Sequence, residues 1–213
     1  WWDLRNDGGD VFAQHLDANG IDQWGTNGIP VATGDNNQLG VRITPNGANG
    51  ALIAWFGGSF GVNPGGVRVQ NVAADGAMLW ALNGIRACQL VSDQFSPELC
   101  ADGNGGGIVT WVDRRNDGSG DLYAQRIDAT GAIQWTTGGT LLDDGPGEQG
   151  QASLTRSGTN GTFIAWSTPP DTVNMDNNIK AQLLDDGSIA LWEPLGKLIC
   201  GQPLYQQFPK VVE

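Results

Sequence analysis

The sequence predicts an all-β protein, specifically a β-propeller of about four repeats with four antiparallel strands in each blade. Two observations carry the class: glycine-centred turns recur roughly every ten residues, and tryptophans recur roughly every 55. A third is direct repetition. "WVDRRNDGSGDLYAQRIDATGAIQW" runs from Trp111 to Trp135, and "WDLRNDGGDVFAQHLDANGIDQW" from Trp2 to Trp24 nearly restates it. The 33 glycines and 10 prolines leave intervals too short for ordinary helices, while 39% hydrophobic residues suffice for a buried core.

The repetition extends along the whole chain. Trp2, Trp55, Trp111 and Trp166 mark one repeat position; Trp24, Trp80, Trp135 and Trp192 mark another. The units are approximately 1–37, 38–93, 94–148 and 149–205, with a partial unit at 206–213. A repeat of this length holding several short strands is a unit that buries its apolar face only against a neighbouring copy.

Strands are placed most clearly in the unit that begins at Gln94. There "FSPELCAD" gives a first strand, "GGIVTWVD" a second, "DLYAQRID" a third and "AIQWTT" a fourth. The third alternates, with Leu122, Ala124 and Arg126 on one side and Tyr123, Gln125 and Ile127 on the other. The second is more continuously apolar, as a strand covered on both faces requires. In this register residues 1–32 supply only a third and fourth strand, preceded by the tail of a second, and 206–213 supply only a first strand. Ring closure, self-association or flanking domains are the expected ways of completing the terminal blades.

A formal charge of −12 and a pI of about 4.2 argue against nucleic acid as a partner, because an acidic surface repels a polyanion. No apolar run approaches the roughly 20 residues that span a bilayer, so membrane insertion is not expected. Cys88, Cys100 and Cys200 are too few for a disulfide scaffold and lack zinc-site spacing. A bridge between Cys88 and Cys100 is left open by spacing. The repeat position shared by Cys88 and Cys200 holds Ala32 and Asp143 in the other units, which favours a space-filling role.

The unit "QFSPELCADGNGGGIVTWVDRRNDGSGDLYAQRIDATGAIQW" resembles the tryptophan-rich repeats of large secreted bacterial proteins, especially those of Bacteroidetes and related phyla exported by the type IX secretion system. The resemblance covers nearly all of the chain and weakens at 56–66 and 167–178. It implies propeller repeats and an extracellular or cell-surface location, usually without an assigned activity.

Three groups of residues are candidates for chemistry. The turns at Asp17, Asp75, Asp128 and Asp185 place an acid beside glycine and are read as structural, the carboxylate accepting backbone N–H groups. The loops with Asp3, Asn6, Asp7 and Asp10, and with Asp113, Asn116, Asp117 and Asp121, offer oxygen ligands for calcium. Arg5, Arg114 and Arg115 compete for the same carboxylates, so the weighed alternative is a hairpin loop braced by Arg–carboxylate pairs. His15 stands at a variable strand position without a nucleophile motif, and Tyr123 has Phe12 as its counterpart; neither reads as catalytic. No cofactor other than calcium is expected.

These observations favour a non-enzymatic extracellular or cell-surface module for binding, adhesion or assembly, with a glycan or an extracellular protein as partner. Recognition is expected at 56–66 and 167–178, where the repeat is broken. The alternatives are a carbohydrate-active hydrolase with an axial carboxylate pair, whose acids would cluster at one end of the first strands, and a structural unit of a filament or surface layer.

Overall fold

Segments between successive glycine turns are extended, because β-branched and aromatic residues fill them and Asn-Gly or Asp-Gly pairs end them. The computed structural model describes all residues except 6–7, 35–36, 59–64, 117, 159–160, 170–176, 204 and 213. The described residues form four antiparallel sheets and no helix. The first sheet holds β1 (Trp2–Asp3), β2 (Asp10–Ala13) and β3 (Ile29–Ala32). The second holds β4 (Gln38–Pro45), β5 (Ala51–Gly57), β6 (Val67–Val72) and β7 (Ile85–Arg86). The third holds β8 (Gln94–Ala101), β9 (Gly107–Asp113), β10 (Asp121–Ile127) and β11 (Thr140–Asp143). The fourth holds β12 (Gly150–Arg156), β13 (Gly161–Thr168), β14 (Asn178–Asp185) and β15 (Lys197–Cys200). Each sheet pairs its strands in chain order, which gives a β-propeller-like arrangement.

Successive sheets pack face to face around three apolar cores. The alternation of β10 divides its side chains between two of them: Tyr123 and Ile127 face the second sheet, whereas Leu122 and Ala124 face the fourth. Each core receives two tryptophans from different repeats, Trp24 with Trp55, Trp80 with Trp111, and Trp135 with Trp166. Burying rings of this size is the main apolar contribution of each interface.

One glutamine per repeat fixes the turn that carries the later tryptophan. Gln14, Gln70, Gln125 and Gln182 each accept the backbone N–H of the tryptophan ten positions on, at 3.0, 3.1, 2.9 and 3.1 Å. Their side-chain amides donate to Gly25, Ala81, Thr136 and Glu193 carbonyls at 2.6 to 2.9 Å. This clamp explains a correction to the expected fourth strand. Residues 132–137 bend around Gln125, forming with β10 the isolated Ile127–Ile133 bridge rather than a strand ladder, and the fourth strand begins at Thr140.

The turns act as expected in three repeats. The Asp17, Asp128 and Asp185 carboxylates each accept two backbone N–H groups, from residues two and four positions on. In the second repeat Ala73 holds that place, and Asp75 accepts the Ala77 N–H. The marker at the first repeat is also displaced by one residue. Trp1, rather than Trp2, stacks on Phe12 and donates to Asp3, as Trp111 stacks on Tyr123 and donates to Asp113.

Candidate functional site

The first strands carry a shared irregularity. Opposite Trp55, Trp111 and Trp166, two residues of β4, β8 and β12 face one residue of the neighbouring strand. The first residue of each bulge has positive φ: Gly40 at 63°, Ser96 at 51° and Gln151 at 52°. Phe208, at the same repeat position in the terminal segment, has φ of 56°. Only glycine adopts this conformation without strain, so Ser96 and Gln151 are held there by the surrounding sheet.

The bulges of β8 and β12 place Ser96 and Gln151 on the wall of a groove of about 360 Å³ between the third and fourth sheets. Glu148, Ser167, Asn177 and Gln207 complete its polar lining. Ser167 and Asn177 belong to the irregular segment 167–178, although 170–176 lie outside the described residues, as do 59–64 of the other irregular segment.

Two acids stand immediately before the glutamines that open the first strands. Gln94, next to Asp93, donates to the Leu90 carbonyl at 3.3 Å and to Ser92 Oγ at 3.2 Å, and accepts the Val67 N–H. Gln149, next to Glu148, donates to the Gly145 and Gly147 carbonyls at 2.7 and 3.0 Å. Arg114 connects the two positions: its backbone N–H donates to the Asp93 carbonyl at 3.1 Å, and its guanidinium donates to Glu148 Oε2 at 2.6 Å while lying over the Phe95 ring. The pair is substantially exposed, so it contributes little to stability and leaves Glu148 open to a ligand. Another charge pair between neighbouring first strands, Arg42 and Glu98 at 2.8 Å, joins the second and third sheets.

The calcium candidates are placed differently. Asp3 and Asp113 are engaged by Arg5 and Arg115 and by Trp1 and Trp111 Nε1. Arg5 and Arg115 lie over the Phe12 and Tyr123 rings and donate to the Asn27 and Gly138 carbonyls. Asp10 accepts the Gly34 N–H, and Asn116 donates to Asp121 and to Tyr123. Asn6, Asp7 and Asp117 lie outside the described residues. In the fourth sheet, Asp143 receives Trp166 Nε1 and Lys180, and Lys180 also donates to the Leu195 carbonyl. Arg68 donates to the Asn83 and Gly84 carbonyls in the second. A cation on the loop before the fourth strand thus recurs in all four sheets, supplied from two different sequence positions.

His15 sits edge-on to Trp24 and lines a cleft of about 400 Å³ between the first two sheets with Ile43 and Pro45. Asp93 and Glu148 were missed in the sequence because 23 acids crowd the turns. The usable signal is their place directly before the strand-opening glutamine, where the other units have Asn37 and Tyr205.

No protein-family model and no curated protein matches the chain. Among solved structures, an endo-arabinase from Bacteroides thetaiotaomicron superimposes with a TM-score of 0.52 at 12% identity, covering 94% of this chain and 75% of that one. A Penicillium chrysogenum α-L-arabinanase gives 0.47 at 13% identity, covering 96% and 61%. An endo-1,4-β-xylanase from B. thetaiotaomicron gives 0.44 at 9% identity, covering 94% and 70%. The likeness to the endo-arabinase corrects the expectation of a non-enzymatic module for binding, adhesion or assembly. That expectation explained the acids at repeat positions by turns, whereas Glu148 stands just before a first strand on the wall of a polar groove. The fold is one shared with the endo-arabinase.

Proposed function

We propose that this protein is a carbohydrate-active hydrolase in which Asp93 and Glu148 are the carboxylate pair and the groove between the third and fourth sheets holds the sugar. The observation carrying this reading is that Arg114 holds the Glu148 carboxylate beside a groove lined by hydroxyl and amide groups, while its N–H donates to the main-chain carbonyl of Asp93 at the start of the neighbouring first strand. Such a lining suits a ligand presenting many hydroxyls, and its volume accommodates a small sugar unit. In this reading the sheets are propeller blades of about 55 residues, incomplete at both ends. One carboxyl protonates the departing glycosidic oxygen; the other activates water or attacks the anomeric carbon. The fold shared with the endo-arabinase supports an arabinose-containing polysaccharide as substrate. Hydrolysis of a polymer also supports an extracellular or cell-surface location.

The test is reducing-sugar release from arabinan, xylan and related polysaccharides by the protein and by Asp93→Asn and Glu148→Gln. Cleavage of at least one polymer, with a loss of about 10²- to 10⁴-fold in each amide variant, is expected. No cleavage of any polymer, or full activity in both variants, overturns the proposal.

A further inference from the structure

The three interfaces between sheets repeat one set of contacts, and the two ends of the molecule carry the unmatched halves of that set. At the interfaces, Trp24, Trp80 and Trp135 donate through Nε1 to the Ala74, Ala129 and Asp186 carbonyls of the next sheet's turn, at 2.8, 3.0 and 2.9 Å. In the first two, the turn glycine lies under the ring: a Cβ on Gly76 or Gly131 would come within 3.1 Å of Trp24 or Trp80.

On the fourth sheet, Trp192 is 36% exposed while Trp24, Trp80 and Trp135 are 6–9% exposed, and its Nε1 has no hydrogen-bond partner among the described residues. Ile199 is 56% exposed, although Val31, Ala87 and Leu142 at the same repeat position are 0–2% exposed. On the first sheet, the turn of Ala18 and Gly20 has the corresponding vacant place, with nothing within 4 Å of a Cβ on Gly20. Trp1 is 46% exposed, whereas Trp55, Trp111 and Trp166 are fully buried.

The inner strands show the same complementarity. The terminal segment lies along β12, with Phe208 N–H donating to Gln151 and Val211 N–H to Ser153 Oγ, at 3.1 and 3.2 Å. Among the described residues it therefore holds the place of a first strand with no sheet behind it, while the first sheet contains β1–β3 and no first strand. Among the described residues, no strand of the fourth sheet pairs with the first.

We propose that the fourth sheet docks a second copy of this chain, head to tail, through that copy's first sheet. Trp192 Nε1 then donates to the Ala18 carbonyl of the second copy, with its ring over Gly20. Cys200 approaches Arg5, as Cys88 Sγ meets Arg115 Nη2 at 3.4 Å. The terminal segment pairs with β1 in the register of β8 with β9, placing Gln206 opposite Asp3, as Gln94 stands opposite Asp113. A second copy is the fitting occupant because the first sheet presents the Ala18 turn, the open Gly20, and Trp1 and Arg5 on Asp3 at the repeat positions that the internal interfaces use. The contact is heterologous, so each copy uses two different faces.

The experiment is sedimentation velocity on the 213-residue chain over about 1–200 μM, a range that reveals micromolar association. Mass rising with concentration is expected. Trp192→Ala removes one face and Ala18→Glu the other; neither variant alone should associate. Their equimolar mixture retains one intact face from each and should form a 1:1 dimer that grows no further. Circular dichroism verifies folding, and Ile199→Ser replaces Trp192→Ala if the latter loses its sheet signal. A wild-type chain that remains monomeric, a single variant that associates like the wild type, or a mixture that stays monomeric overturns the proposal.

Discussion

Asp113 shows how the carboxylates of this chain tie its stability to pH. Burial alone would raise its pKa, but hydrogen bonds from Arg115, Trp111 and Ser92 more than offset that effect and leave it below 3.8. The turn residues Asp17 and Asp128 are also lowered, chiefly by the Ile21 N–H and by Thr130 respectively. A depressed folded-state pKa stabilises the fold above the unfolded-state value and loses that contribution as pH falls through the folded value. The urea midpoint should therefore be flat from neutral pH to about 5 and fall progressively below about 4. Asp113→Asn should lower the midpoint at pH 7 and reduce the acid-dependent slope; an unchanged slope in the variant would assign the acid loss to the turn carboxylates.

The bulges of the first strands allow a test at the level of the element. Ser96 is exposed and occupies the left-handed region that Gly40 occupies without strain at the same repeat position. Ser96→Gly should stabilise the protein by about 0.5–1 kcal/mol, the relieved strain exceeding the entropy that glycine adds to the unfolded chain. A lower urea midpoint in the variant would show that the Ser96 hydroxyl contributes more than its backbone costs. Strand identity was largely legible because period-two patterns and glycine turns are local: β8, β9 and β10 fall within one residue of the expected starts. The fourth strand was not, because its displacement depends on Gln125 reaching across the turn to Trp135 and Thr136. The candidate site was less legible still. Asp93 and Glu148 are 55 residues apart in the chain; β8–β9 pairing within the third sheet brings the Asp93 carbonyl to Arg114, and only the approach of the fourth repeat brings Glu148 there.

The stacked arrangement makes solvent access depend on a residue's distance from the open ends, and the three cysteines sample that dependence. Cys88 is fully buried between the second and third sheets, in contact with Arg115 and Gly138. Cys100 lies in the core between the third and fourth sheets, where burial pushes its thiol up to about 12. Cys200, at the position corresponding to Cys88, is on the last strand of the terminal sheet and is only half-buried. Thiolate formation and access together control the reaction with an aromatic disulfide, so in dilute native protein Cys200 should react first. Cys88 and Cys100 should react only as the sheets separate, at a rate that follows global opening and accelerates with urea. A nearest-neighbour stack further requires the terminal sheet to open more readily than the central ones, so low urea should accelerate Cys200 before the other two. Three thiols reacting at one rate would show instead that all four sheets open as a single unit. If copies dock head to tail, raising the protein concentration should slow Cys200 toward the behaviour of Cys88 while leaving Cys100 unchanged.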